Sequence, residues 1–347
     1  MVVAPGASTN IARQRVGLLL PLSGRNAALG QSMLNAAQLA LFEQTDPRVE
    51  FLPRDTRGTE AGAADAARTA LAEGATVLIG PLTLGETAAA AVPARAAGVP
   101  VLSFTSDEGQ AGQGVWVLGV TPTQVARRLA SAAVAGGARR IGLLGADDEF
   151  GRRLASALRE ALSEAGLPAP LVMLVRPASE PAQNGRDFAA RATAEGPVDA
   201  LILSQAGLAA RLTAQGLASA GTTTPRLYGT HLWSGDTQLG LEPALLGASF
   251  AGPDPGVRQG FDARFQEAFG ERAARLAGTA YDAAALAARA AREGGRALPL
   301  GEAFQGADGP IRLLPQGLLG RGMAILEIRR EGIVVREPAP IPGAAGS

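Results

Sequence analysis

The chain has 347 residues, 47% of them apolar, and its 32 basic side chains balance 32 acidic ones. That length predicts two domains rather than a single core, and the balanced charge excludes the basic field that nucleic acid binding requires. Every Lys/Arg cation is an arginine, cysteine is absent and the one histidine is His231, which excludes a lysine Schiff base, a Walker phosphate loop, a disulfide, a thiol nucleophile and a His-rich metal site.

No uninterrupted apolar run approaches the roughly 20 residues needed to span a bilayer. Residues 1–10 have neither a basic start nor an apolar core, so they read as no signal peptide as they stand; the remnant of a trimmed leader is the other reading. From there the chain alternates. Residues 15–20 predict a strand, 29–44 a helix with Met33, Ala37, Ala40 and Leu41 on one face, 49–52 a strand and 63–73 a helix of small residues. Val77, Leu78 and Ile79 form a short apolar run, as in a strand buried on both faces of a parallel sheet. The stretch 80–85, G-P-L-T-L-G, stops it, and Glu86 opens an alanine-rich helix with a carboxylate at the positive end of the dipole. Strands follow at 99–102 and 115–118.

Residues 119–122 read as a seam, after which Thr121, Pro122 and Gln124 supply an N-cap, a first-turn proline and a capping-box partner. A second series then repeats the plan, with strands at 140–145, 171–175, 200–204 and 226–228 and helices at 150–165, 187–195 and 208–220. Residues 248–253 read as a second seam, followed by helices at 258–269 and 279–293. Gly309-Pro310 marks a third break before closing strands at 311–314, 322–328 and 333–336. The tail from Pro338 is too rich in proline and glycine to pack and reads as disordered. Strand–helix alternation of this kind predicts an α/β chain of two doubly wound, three-layer (αβα) lobes.

The layout resembles the type I periplasmic solute-binding proteins, in their leucine/isoleucine/valine-binding branch. The resemblance rests on V-G-L-L-L-P-L-S-G at 16–24, L-I-G-P-L-T at 78–83, V-P-V-L-S-F-T-S at 99–106, G-A-D-D-E-F-G at 145–151 and G-T-A-Y-D-A at 278–283. It implies two lobes joined by three hinge crossovers, at 119–122, 251–253 and 309–310, and closing on a ligand. The first lobe is then 14–120 plus 252–311 and the second 121–251 plus 312–337, with flexible ends at 1–13 and 338–347. P-R-D-T-R-G-T at 53–59 and R-L-L-P-Q-G with R-G-M-A-I-L-E-I over 312–328 are similar to penicillin-binding-protein activators of the LpoA type, which use this fold to stimulate a peptidoglycan synthase.

The resemblance implies a ligand carboxylate held by the first lobe at Thr83, Leu84 and Gly85 and at Ser103, Phe104 and Thr105, with Ser23 contributing from the first loop. Hydroxyls in such loops also serve as local caps. From the second lobe it implies Phe150 as an aromatic lid, or a core residue at a helix start, with Gln205 and His231 in the remaining loops. His231 stands where an acidic partner for a ligand ammonium is expected, and an imidazole cannot replace that carboxylate. Asp236 is the nearest acid in the sequence. Asp147, Asp148 and Glu149 read as a solvated helix start rather than a metal site, and no G-x-S-x-G elbow or dinucleotide fingerprint is present. The expectation is therefore a non-enzymatic protein with no catalytic residue, metal or cofactor, which binds a small amino-acid-like or carboxylate solute. Its partners would be an ABC transporter membrane subunit or a peptidoglycan synthase. Its place would be the periplasm, with an outer-membrane lipid anchor in a full-length form.

Overall fold

The computed structural model describes residues 13–44, 48–176, 178–221, 224–292 and 297–343. The flexible end expected at 1–13, apart from Arg13, lies outside these, as do Glu293 of the last predicted helix and the final residues 344–347. Contacts divide the chain into two units. The first runs to Gly119 and adds Gly260–Ala307 and Arg312–Leu319; the second is Val120–Gln259, Asp308–Ile311 and the chain from Gly320.

The first unit begins β1 (Gln14–Leu20), α1 (Ala27–Gln44), β2 (Val49–Asp55), α2 (Glu60–Ala72), β3 (Ala75–Ile79), α3 (Leu84–Ala96), β4 (Val101–Ser103) and β5 (Val115–Val117). The second continues with α4 (Pro122–Ala135), β6 (Ile141–Ala146), α5 (Glu149–Glu164), β7 (Leu171–Val175), α6 (Pro181–Glu195), β8 (Ala200–Leu203), α7 (Gly207–Ser219), β9 (Arg226–Gly229) and β10 (Ser249–Gly252). Then come α8 (Pro255–Phe269), α9 (Ala277–Arg292), β11 (Ala303–Gln305), β12 (Pro310–Leu314), β13 (Leu318–Arg321), β14 (Ala324–Arg329) and β15 (Gly332–Glu337).

One sheet has the order β11-β12-β13-β5-β4-β3-β1-β2 and the other β15-β14-β10-β9-β8-β6-β7. Their parallel cores, β2-β1-β3-β4-β5 and β7-β6-β8-β9-β10, therefore share one winding. The crossover direction reverses after β2 and after β7. With right-handed connections, the reversal sends successive helices to opposite faces. Accordingly α1 packs with α9 and α2 with α3 in the first unit, and α4 with α5 and α6 with α7 in the second. The central strands between these layers are buried, with Val16, Leu18, Leu19, Leu20, Leu78 and Ile79 all at 0% exposure, while the edge strands β2 and β7 are mostly half-buried. Two cores flank the second sheet, one against α4 and α5, the other holding Phe188, Trp233 and Phe250.

Some elements differ from the sequence expectation. Residues 248–253, read as a seam, contain β10, which is buried throughout and pairs with β9 and β14. A four-residue S-F-A-G strand carries too little periodicity to stand out. The helix expected at 187–195 starts at Pro181, because Glu180 accepts from the N–H groups of Ala182 and Gln183 and proline suits the first helical position. The helix expected to open at Glu86 opens at Leu84, with Glu86 as third residue of a capping box on Thr83. In the tail, read as unpacked, Ala339 lies against the second core and Pro342 is buried.

Small residues set the helix spacing. A Cβ on Gly216 of α7 would sit 1.9 Å from the Ala182 carbonyl oxygen, so α6 and α7 approach backbone to backbone. Gly216→Ala is expected to lose about 3 kcal/mol in a urea titration, at the upper end for overpacking because backbone must move. A loss under about 0.5 kcal/mol would contradict the close approach.

In the first unit Tyr281 of α9 donates its hydroxyl to Glu43 of α1, while Arg264 of α8 donates to the same carboxylate at 2.7 Å. Burial pushes the Tyr281 phenol up, the Glu43 hydrogen bond and charge push it further, and Arg264 only partly offsets this, leaving it at about 12. A raised pKa means the folded state keeps a proton that the unfolded chain loses above about 10. The contribution is thus fully present below pH about 10 and lost as pH rises towards about 12. In Tyr228→Phe protein, phenolate absorbance should appear with a midpoint near 12; a midpoint near 10 would show that the cluster does not form.

Candidate functional site

In a doubly wound sheet, ligands bind outside the carboxyl ends of the strands, at the point where strand order reverses. Those points lie between β1 and β3 in the first unit and between β6 and β8 in the second. Ser23 follows β1, Thr83, Leu84 and Gly85 follow β3, and Ser103, Phe104 and Thr105 end and follow β4. Phe150 follows β6, Gln205 follows β8 and His231 follows β9. Each unit thus brings its own expected residues to the carboxyl ends of three adjacent parallel strands.

In the first unit the loop after β1 is held by Asp55 at the end of β2. Its Oδ1 accepts from the N–H groups of Leu22 at 2.9 Å, Ser23 at 3.3 Å and Arg57 at 2.8 Å. Burial pushes the Asp55 carboxyl up, but the Ser23 hydroxyl and these backbone donors outweigh it and hold the group below the usual carboxylate range. The loop after β3 turns at Gly80, where φ is 88° and a Cβ would lie 2.2 Å from the Leu19 carbonyl oxygen, so only glycine fits. The Gly80-Pro81 peptide is cis.

Behind this loop lies a polar network that sequence reasoning missed. Glu86 is 1% exposed. Its Oε1 accepts from the Thr56 hydroxyl at 2.6 Å, and its Oε2 from the Thr83 hydroxyl at 2.7 Å and the Thr83 N–H at 3.1 Å. The dipole of α3 adds to these donors, which is how a carboxylate can be buried without a cation. Ser103 is fully buried, 2.6 Å from the Thr87 hydroxyl, and accepts from the Thr105 N–H. Thr105 is 5% exposed, and its hydroxyl accepts from the Asp107 N–H at 3.2 Å. Phe104 is buried against Gly80. Thr83 and Leu84 are exposed at the helix start, with Gly85 half-buried beside them. The hydroxyls of Thr83 and Ser103 are therefore engaged in internal bonds, and the exposed residues at this edge include Ser23, Thr83 and Leu84.

In the second unit the rings of Phe150 and His231 meet edge to face, with centroids 6.0 Å apart and an interplanar angle of 64°. Both are half-buried, and Phe150 also packs against the core beneath α4 and α5. Trp233 covers Gly229, is fully buried and donates its Nε1–H to the Gln205 carbonyl at 2.7 Å, which ties the loop after β8 to the loop after β9. Gln205 Oε1 is buried with no hydrogen-bond partner among the described residues. Asp236 faces Arg211 Nη1 at 3.2 Å and accepts from the Gln238 N–H, so its charge is already compensated. Asp148 caps α5 through the Gly151 N–H, Asp147 pairs with Arg152 and Glu149 with Arg153. Among the described residues no group of three His, Cys, Asp or Glu side chains is placed to hold a metal ion, and no helix is long and apolar enough to cross a membrane.

These features coincide with a known family. The chain belongs to the periplasmic binding proteins, whose family model matches residues 13–308, and its fold is the type I form of that family. A protein from Rhodospirillum rubrum ascribed to a branched-chain amino acid ABC transporter superposes with a TM-score of 0.82 at 21% identity, over 93% of this chain and 99% of its own. An ABC transporter solute-binding protein from R. palustris, in complex with benzoate, gives 0.65 at 20% identity, over 97% and 99%. The C-domain of LpoA from Haemophilus influenzae, a regulator of PBP1A, gives 0.74 at 19% identity, over 93% and 99%. Comparison with curated proteins finds no match. The family is one of periplasmic binding proteins rather than enzymes.

The buried network provides a direct test of the first unit's edge. Glu86→Ala leaves two threonine hydroxyls and one N–H facing an emptied position, and is expected to cost about 2 to 3 kcal/mol. Urea unfolding followed by circular dichroism checks this, and a neutral substitution would show that the carboxylate is not bonded as described.

Proposed function

We propose that this chain is a non-enzymatic periplasmic solute-binding protein whose ligand is a small carboxylate, aromatic or aliphatic, that lacks an ammonium group. The observation that carries this is the second unit's carboxyl edge. Phe150 and His231 offer an aromatic surface there, and Gln205 Oε1 is a buried acceptor without a donor among the described residues. A ligand hydroxyl would supply that donor. An ammonium group would find Asp236, the acid nearest His231 in the sequence, already paired with Arg211. In the first unit, the backbone N–H groups of Leu84 and Gly85 at the start of α3 are the donors suited to an acid, whereas Ser23 already donates to Asp55. Thr83, Ser103, Phe104 and Thr105 shape and stiffen that edge. The benzoate complex of the R. palustris relative supports a ligand of this class. An ABC transporter membrane subunit would then be the partner.

One observation favours a second reading, a regulator of a peptidoglycan synthase carried on an outer-membrane lipid anchor. Glu86 already occupies the start of α3, and the hydroxyls expected to grip a ligand bond to their own unit. A chain released from ligand binding would look like this, and the LpoA C-domain shares the fold.

Thermal unfolding at fixed protein concentration separates the two, since a ligand of the native state raises stability by mass action. Millimolar benzoate or 4-hydroxybenzoate should raise the midpoint by more than leucine does, and Phe150→Ala should abolish the rise. No rise with any of the three, together with capture of a peptidoglycan synthase, would replace the first reading by the second.

A further inference from the structure

Three stretches of the second unit lie next to points where the chain passes between units: 254–259, 308–311 and 320–322. They meet at one buried carboxylate. Asp308 Oδ1 accepts from Arg258 Nη1 at 3.0 Å, and its Oδ2 lies 3.7 Å from Arg321 Nη1. The Arg321 side chain is 3% exposed, that of Asp308 13% and that of Arg258 18%. The backbone reinforces the junction. The Asp254 N–H donates to the Asp308 carbonyl at 2.8 Å and the Gly322 N–H to the Pro310 carbonyl at 2.8 Å. Asp254 Oδ1 in turn accepts from the N–H groups of Gly256 and Val257 at the start of α8.

Helix α8 makes this junction consequential. Its start belongs to the second unit and its remainder, from Gly260, to the first, where Phe261 and Phe265 are fully buried. Gly256 and Gly260 flank Arg258 in this turn, and glycine inside a helix weakens it. Left to propensity the turn would fray. Its order depends on the Asp254 cap and on the ion pair to Asp308.

We infer that Arg258, Asp308 and Arg321 form a clasp that gathers the three joining segments onto the second unit as one body and keeps the glycine-flanked start of α8 helical. Replacing Asp308 removes the carboxylate that Arg258 and Arg321 share, so all three segments loosen together.

Hydrogen–deuterium exchange of the full chain tests this without a ligand. In Asp308→Asn protein, amides at 254–260, 308–311 and 320–323 should exchange at least about tenfold faster, while peptides of β6 and β8 keep their rates. Arg258→Gln, which leaves Arg321 to face Asp308, should speed exchange at 254–260 and 308–311 but not at 320–323, and carries the test if the first variant does not fold. Gly260→Ala, whose Cβ would meet nothing nearer than Arg264 Nη1 at 3.6 Å, should slow exchange at 254–260 about fivefold. Faster exchange in a single segment, or uniformly through the second unit, would overturn the clasp.

Discussion

A parallel strand covered by helices on both faces can carry polar, irregular backbone only beyond its ends. In this chain that constraint is imposed twice with the same winding, β2-β1-β3-β4-β5 and β7-β6-β8-β9-β10. Because the crossover direction reverses beside β1 and beside β6, the loops after β1 and β3, and after β6 and β8, diverge to opposite faces and leave space between them. The candidate residues stand at those divergences. Ser23, Thr83, Phe150 and Gln205 are where they are because buried apolar strands such as 16–20 and 141–145 deliver them there.

The two edges solve the problem of buried polarity differently. The first unit closes its hydroxyls on itself: Thr56, Thr83 and Glu86 form one set, Thr87, Ser103 and Thr105 another. Such a network is stiff because every donor has an acceptor at hand, and an unpaired group would cost more than a bond contributes. The second unit compensates its charges in pairs, the part-buried Arg211–Asp236 and the exposed Arg152–Asp147, and leaves an aromatic pair and an amide oxygen.

The helices are built from alanine and glycine, and this composition has a structural cost and a use. Small side chains bury little area each, so stability depends on close approach, as at Gly216 against Ala182. The same economy leaves weak turns, of which the start of α8 is one. Asp308 and its two arginines strengthen that turn at a place where the chain changes unit. Buried ion clusters are poor sources of stability but good at selecting one arrangement, which suits a junction better than a core.

Much of this was legible in the amino-acid sequence alone. Strand–helix alternation, the absence of lysine and cysteine, the Gly80-Pro81 stop and the Thr121 cap are local signals, and local signals survive without a fold. They determined two α/β units, excluded several chemistries and put the candidate residues in loops that follow parallel strands. Other features are non-local, and only tertiary structure decided them. Strand β10 exists because β9 and β14 pair with it, Glu86 is buried because Thr56 comes from 30 residues away to meet it, and Asp236 is neutralised by an arginine one helix earlier. Whether a hydroxyl faces a ligand or its own backbone depends on which partners packing brings within about 3 Å, and no spacing along the chain encodes that distance.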